Sequence, residues 1–595
     1  MVTFSHTKPR AHLLSKVSLE VGIIRRRASS QAISLFHGPV WLIGRSLIQN
    51  VTDFGCTTVN TNCDFSALSW SKWKMEDVKV AVIGLGAAGL VALKNLKEEG
   101  FDVTGFERNS YIGGLWKYSE DDQTSVLDTT VVNISKERGC FSDFPYPDSV
   151  SSHPTGAQVH DYLLSYAKHF DLMPYMKLDC PIEQIVFNDD QQKWIIKIRD
   201  QPDICFDKIL IAIGGMVGLP NMPTIENMDK FEGESIHTKT FKRPSDFAGK
   251  RVMVVGFGNS AADTATQLVG IADTIYLAHR NGARVLPRIV DGRPADHTQT
   301  WRLFTAFNFV MRLFPIWGEK TFDKLLKSVQ DKNFKVRPEW GFEPAQKVPL
   351  VSDTLVDYLE SGDIESTKGL RRVINGTAVE LDDGRRVEVD VIIWSTGYKA
   401  NFSMIDPRFD PSAPPPDAWT KARGLNGKSL FRLWHNVFSL EKPESLAFIG
   451  NVHFAAGGFM IFDMAAMAIA QVWKGASALP PRAQLVHEVE KHHAWVVDQA
   501  SRQSNFSPGN VEAGNWTRTM NDLGGTGVNE FLGYGWKGWW FWARNMRFCH
   551  LLMDGIWTPH IFRVFDGKRK KWEGAKEAIE TVNAVIAKRK KAKTS

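Results

Sequence analysis

Two stretches of the chain pass from a short apolar block, through glycines, into a helical repeat and out into a second apolar block. The first block, Lys79–Ile83, reads KVAVI, a β-branched run of the kind buried on both faces of a parallel sheet. Leu90, Leu93 and Leu96 then recur at helical spacing, and DVTGF at 102–106 closes the unit. The second block, RVMVV at 251–255, leads through a helix ending near Leu268 to TIYLAH at 274–279. Strand, turn, helix and strand twice over predict an α/β protein with two Rossmann-like dinucleotide-binding domains. TWRLFTAFNFVMRLFPIW at 300–317 predicts an apolar helical insertion at about 290–345. It reads as a lid, as a patch that touches lipid, or as a helix buried against the rest, and burial is the reading preferred. Near the end, Ala575, Ile579, Val582 and Ile586 share one helix face, and the basic run from Lys588 reads as a solvated terminus. The most apolar runs are broken by Arg312, Arg544 and Arg547. They fall short of the roughly 18 to 20 apolar residues that a membrane span needs.

Composition narrows this frame. A chain of 595 residues, 43% apolar and 23% charged, suits two to four globular domains. The expected division is an extension at 1–74, a first domain at 75–215 resuming at 389–480, an inserted second domain at 216–388, and a helical, aromatic-rich cap at 481–595. A net charge of +6 calls for no nucleic-acid partner. Six scattered cysteines with no CxxC pair argue against a disulfide framework or a metal site and fit a reducing, cytoplasmic setting. Residues 1–74 differ, with nine Lys/Arg against Glu20, Asp53 and Asp64. That is the composition of a mitochondrial presequence. The reading preferred is a disordered tail or a start at Met75, just ahead of the first strand.

The glycine loops carry the chemistry. Gly84, Gly86 and Gly89 form GxGxxG: a tight turn, a close backbone approach to a pyrophosphate, and close packing of helix on strand. Ala87 and Ala88 begin the helix whose N-terminal N–H groups face the phosphates. Glu107, at the end of the second strand, can accept hydrogen bonds from ribose hydroxyls. The second loop is Gly256, Gly258, Asn259, Ser260, Ala261, and its second strand ends in His279-Arg280. An acid at this position repels a ribose 2′-phosphate, whereas an arginine pairs with it. Site one therefore suits FAD and site two NADPH, with Arg284 and Arg288 as possible additions to the basic patch. Two such sites imply hydride transfer from NADPH to flavin. Without a redox cysteine pair, the electrons go on to O2 or to a small acceptor.

Between the loops, FEGESIHTKTF sets Phe231, Gly233, His237 and Phe241 in the pattern FxGxxxHxxxF. This resembles the fingerprint of the flavin-containing monooxygenases, the dimethylaniline monooxygenase type. YIGGLW (Gly113, Gly114, Leu115, Trp116), VVNISKERGCFSDFPYP (from Val131) and VIIWSTGY (Thr396, Gly397, with Ser395 in place of the family's alanine) agree, in the family's order. The likeness is specific from Lys79 to Gly475. The last 120 residues are similar to fungal members that modify small molecules. The resemblance implies FAD, NADPH and O2 as partners, and insertion of one oxygen, through a flavin hydroperoxide, into a small lipophilic nucleophile at nitrogen, sulfur or carbon. It carries Asn133 over as the catalytic, flavin-facing amide, and Gly114–Trp116, Thr396 and Gly397 as cofactor contacts. It leaves His237 open between packing and catalysis. Asp463 stands where the family has a glutamate. Two other readings stay open: a Baeyer–Villiger monooxygenase acting on a ketone, against which Phe241-Lys242 stands, and a non-oxygenating flavoprotein reductase or scaffold.

Overall fold

The computed structural model describes residues 75–594 apart from 122, 216, 217, 343–348, 413–416, 423, 425–427, 504 and 505, with side chains to 585. The expectations for 1–74 and for the side chains of the Lys588 run lie outside the described residues.

The first domain is built on β1 (Lys79–Ile83), β2 (Asp102–Phe106), β3 (Met176–Lys177) and β4 (Lys208–Ile211). Val80, Ala81, Val82, Ile209 and Leu210 are fully buried, as a sheet covered on both faces requires. β1 pairs in parallel with β2 on one side and β4 on the other. The strand order reverses between β1 and β4, which opens a crevice at their C-terminal ends. Helix α1 (Ala87–Glu98) and α2 (Gly156–His169, with Thr155 and Gln158 forming a capping box) flank the sheet.

The second domain is a five-stranded, all-parallel sheet of β5 (Glu234–His237), β6 (Arg251–Val255), β7 (Thr274–His279), β8 (Glu365–Lys368) and β9 (Val391–Trp394), ordered β8-β7-β6-β9-β5. Helix α3 (Asn259–Leu268) follows β6. Thus β9 lies between β6 and β5, and the domain boundary expected at 389 falls after β9 instead. A fully buried VIIW strand fits either parallel sheet, so its sequence does not say which one it joins. The two linkers, Leu219–Pro220 and Tyr398–Lys399, pair antiparallel where the chain passes between domains.

The chain then returns to the first sheet through β10 (Leu433–Trp434), β11 (Phe438–Ser439) and β12 (Leu446–Phe448), giving the order β10-β11-β12-β4-β1-β2-β3.

The insertion is a helical hairpin, α4 (Trp301–Leu313) and α5 (Pro315–Asn333). Burial, the preferred reading, fails for most of it. Trp301 is buried, but Leu303, Phe309, Leu313, Phe314, Ile316, Trp317 and Leu325 are each more than half exposed. After β12 come α6 (Gly458–Trp473), α7 (Arg482–Arg502), α8 (Ala513–Gly524), α9 (Trp536–Arg544), α10 (Met546–Asp554) and α11 (Ala575–Thr594). Among the described residues no helix is long and apolar enough to cross a membrane.

Helix α6, buried almost all round, packs on α1 and α8. Buried charges tie the cap to α1. The Arg563 guanidinium bonds Asp143 at 2.9 Å, Glu98 at 3.0 Å, Asn95 at 3.1 Å and Ser142 Oγ at 3.1 Å. Lys94 joins Asp143 from the other side. Burial works to raise the Asp143 carboxyl, but Arg563 and Lys94 hold it below the usual range.

Candidate active site

The crevice of the first sheet is lined by its glycine loop. Gly84 has φ +91°, and a Cβ there would lie 2.8 Å from the Ala212 carbonyl oxygen; one on Gly89 would lie 1.8 Å from that of Gly84. Only glycine fits. Gly86 caps α1 with no side-chain hydrogen bond, and no acid stands in the first turn, so the N–H groups at Ala87 and Ala88 face a site favourable to anions. Glu107 is buried and accepts from the Leu85 N–H at 2.9 Å and the Asn109 N–H at 3.0 Å. Its carboxylate is thereby fixed beside the loop.

Gly113 and Gly114 fold back onto this loop. The Gly113 N–H donates to Leu85 O at 2.9 Å, and a Cβ on Gly114 would lie 3.0 Å from Gly86 Cα. Leu115 and Trp116 follow in a short helical turn, with the Trp116 ring edge-on to Phe459 of α6 at 6.2 Å. The N-terminus of α6 presses on the segment after Asn133: a Cβ on Gly457 would lie 2.6 Å from Arg138 O and 3.3 Å from Ile134. Asp463 of α6 accepts from Asn95 at 3.0 Å and from the Ser142 N–H at 2.9 Å. The shorter acid thus anchors α6 to α1. Its carboxyl is pushed up by burial and by Asp143.

In the second domain Gly256 (φ +138°) leaves room for the Ser395 carbonyl, 2.4 Å from where its Cβ would be. Gly258 caps α3 and has no atom within 4 Å of a Cβ position, so its face is open to a ligand. Ala261 is fully buried and Ser260 exposed, while Asn259 Oδ1 accepts from the Val351 N–H at 3.1 Å. Arg280 is exposed and makes no ion pair among the described residues. Lys368, exposed as well, lies in register with His279 on the neighbouring strand. His279 points inward: it is buried, bonded to Ser366 Oγ at 2.9 Å and packed on Phe257.

Arg284 and Arg288 do not join this patch. Arg284 is buried in a two-pronged bond to Asp323 of α5, both arms 3.1 Å. Arg288 is bonded to Asp353 and, across the domain boundary, to Asn133 Oδ1 at 2.8 Å. Sequence spacing gave no sign of this Arg–Asn contact. It also gave none of Asp263, whose carboxyl burial raises to about 6 against the pull of Arg288.

His237 is a structural junction. Its Nδ1 accepts from the Lys239 N–H at 3.1 Å, so Nε2 carries the proton and donates to Gly397 O at 3.0 Å. Burial lowers its pKa and keeps it neutral. Phe241 is buried and stacked on Phe247, and Phe231 is half-buried. Thr396 donates through Oγ1 to Asn221 O at 2.6 Å, and Gly397 (φ +79°) has open space on its Cβ side. Both follow β9, beside the second glycine loop. One residue passed over in the sequence is Asn451, just past β12. It is 1% exposed, its Oδ1 has no partner, and a Cβ on Gly215 would strike it. The IGN at 449–451 is the signal that marks it.

The geometry gives one glycine-lined cradle in each of two parallel-sheet domains, and comparison with known proteins specifies the class. Residues 77–595 match the model of the flavin-binding monooxygenase-like family. The chain belongs to that family, and it is a flavin monooxygenase, an oxidoreductase. It is 44% identical over 519 residues to the monooxygenase aurF of Gibberella zeae, covering 86% of this chain and 98% of that one. It is 29% identical over 542 residues to human flavin-containing monooxygenase 5, covering 86% and 93%. Among solved structures, S-allyl-L-cysteine S-oxygenase of Allium sativum superposes with a TM-score of 0.54 at 21% identity, over 75% of this chain and 88% of that one. Cyclohexanone monooxygenase in its open form gives 0.53 at 17%, over 75% and 97%. These two likenesses are of fold.

Proposed function

We propose that this monooxygenase uses FAD and NADPH to transfer one atom of O2 to a nitrogen, sulfur or carbon nucleophile of a small lipophilic molecule, in the cytoplasm. The observation that carries the proposal is the pair of glycine cradles with opposite charges at the ends of their second strands, Glu107 in one and, in the other, Arg280, exposed and without an ion pair among the described residues. The protein's own features fit the flavin nucleotide: collisions that only glycine avoids at Gly84 and Gly89, an uncapped helix start at Ala87, and the orphaned, buried Asn451 Oδ1. FAD, when bound, supplies the oxygen activation that no side chain here can perform.

The chain's residues bind, orient and exclude water. The first-turn N–H groups at Ala87 and Ala88 hold one pyrophosphate, and those at Asn259 and Ser260 the other. Glu107 takes ribose hydroxyls and Arg280 a 2′-phosphate. Trp116 and Phe459, the latter backed by the buried Phe141 ring stacked on it at 4.8 Å, form an apolar wall that keeps water from the reacting centre. Asn133 presents its amide at the flavin. In the coupled reaction, substrate, O2, NADPH and a proton give oxygenated product, water and NADP+. In the uncoupled one, O2, NADPH and a proton give hydrogen peroxide and NADP+.

Asn133→Leu tests the assignment. The branched heavy-atom skeleton is conserved, so FAD stays bound and NADPH is still consumed, but product falls by about two orders of magnitude while peroxide rises to match. That is the loss expected when one preorganised polar contact is removed at a reacting centre. Product measured against NADPH and peroxide decides it, and a variant whose product still keeps step with NADPH removes Asn133 from the mechanism. With 18O2, the wild-type product should gain one heavy oxygen. Labelled peroxide and no labelled product, across amines, sulfides and ketones, would instead favour a reductase.

A further inference from the structure

Arg288 belongs to the second domain, yet most of its guanidinium is spent on the first. Its Nε donates to Val132 O at 3.1 Å, and its Nη2 donates to Val131 O at 3.0 Å and to Asn133 Oδ1 at 2.8 Å. The arginine is itself held from behind. Its main-chain N–H and its Nη1 both bond the Asp353 carboxylate, at 2.8 and 2.9 Å. Its side chain is 13% exposed and its bonds to the first domain are partly buried, whereas Asp353, 45% exposed, meets it from the solvent side.

A guanidinium has five donors and no acceptor. The Asn133 amide can therefore meet Arg288 only with its oxygen, which turns its Nδ2–H group away from the arginine. Flipping the amide would exchange a charge-assisted hydrogen bond for two opposed donors, leaving the flipped form at roughly ten per cent or less. The same fork grips the carbonyls of the two preceding residues, so main chain and side chain are fixed together. We propose that Arg288 is a positioning residue for the monooxygenase reaction: it fixes which end of the Asn133 amide is presented at the flavin site, making Asn133 a hydrogen-bond donor there and not an acceptor. This rests on the role given to Asn133 above.

The test uses the FAD-loaded enzyme and reads three quantities: peroxide released per NADPH, the absorption bands of the resting bound flavin, and the melting temperature. Asn133→Leu comes first. If it stays coupled, the proposed function of Asn133 fails and the positioning role fails with it. Given an uncoupled Asn133→Leu, Asn133→Asp decides the polarity. Its carboxylate still accepts from Arg288 and adds an ion pair, but it has no N–H to give. The expected result is uncoupling as severe as leucine's at an unchanged or raised melting temperature, and a coupled Asn133→Asp overturns the proposal.

Arg288→Met should raise the peroxide fraction several-fold and move the flavin bands in the direction seen with Asn133→Leu. Arg288→Lys should do the same. It keeps the charge beside Asp353 but cannot fork across two carbonyls and an amide. If Arg288→Lys lowers the melting temperature while peroxide fraction and flavin bands stay at wild-type values, Arg288 is only a latch between domains and the proposal is overturned. Should Arg288→Met fail to fold, Arg288→Lys and Asn133→Asp carry the decision.

Discussion

Arg280 matters for what it lacks. Its neighbours Arg284 and Arg288 are committed to Asp323 and to Asp353 with Asn133, whereas Arg280 is exposed and unpaired among the described residues. Replacing it with alanine should weaken NADPH binding about ten- to a hundredfold, the cost of a charged hydrogen bond, and leave NADH almost unchanged. Titration with both cofactors checks this, and equal losses would make Arg280 structural. The contrast among the three arginines marks how far single residues are legible in sequence. Gly84, Gly89 and Gly256 could be read because their constraint is local, a positive φ or a collision within one turn or with an adjacent strand. The partners of Arg284 and Arg288 lie 39 and as many as 157 residues away, and no spacing rule reaches them. His237 could be located but not assigned. Its role rests on a carbonyl 160 residues distant.

At the scale of elements, the strand–turn–helix units were legible because buried parallel strands and glycine turns leave a repeating pattern. The ownership of β9 was not, since pairing is a property of two strands. The cap helices were foreseen as apolar and aromatic, but their chemistry lies in histidines that periodicity does not single out. Helix α7 brings His492 and His493 towards His435, which follows β10, and His493 Nε2 bonds Phe431 O at 2.9 Å. Burial lowers His435 to about 4 and His492 to about 3, the latter pushed further by His493. The unfolded chain takes up a proton at each below about pH 6.5, while the folded chain refuses until about pH 4 and 3. Stability is therefore full above about pH 6.5 and declines as pH falls from there towards 4, with a slope approaching two protons. Denaturant melts between pH 7 and 5 should show it. His435→Gln and His492→Gln should each remove up to one proton from the slope, and an unaltered slope in the double variant would assign the acid sensitivity elsewhere.

On the scale of the whole molecule, the surface is uneven. The α4–α5 hairpin leaves seven large apolar side chains more than half exposed, and Tyr534, Trp536, Trp539 and Trp540 add a second exposed group. Such surface is uncommon on a monomer. Exchanging Phe309, Phe314 and Trp317 for serine should shorten retention on a phenyl matrix without lowering the melting temperature; a fall of several degrees would show that they pack. The interior has the opposite character around Arg563, 1% exposed and shared among Asp143, Glu98, Asn95 and Ser142. Arg563→Met leaves Asp143 to Lys94 alone and Glu98 to Lys94 and Arg569, and should cost about 3–5 kcal/mol in unfolding free energy, as breaking a buried pair does. A loss under 1 kcal/mol would mean that water reaches the cluster.

That cluster sets a timetable. Arg563 and Glu98 are 465 residues apart along the chain. At the usual pace of synthesis, about 5–20 residues per second, roughly half a minute to a minute and a half separates their emergence from the ribosome. Throughout that interval Lys94, Glu98 and Asp143 lack the arginine that lets them be enclosed, and α1, which opens the first nucleotide cradle, has no finished cover. The nascent chain is thus committed to waiting. Its first domain becomes a closed body only when Arg563 arrives, so a ribosome halted near residue 555 should carry a first domain that proteases still cut, whereas one halted after residue 595 by an added linker should carry one that resists.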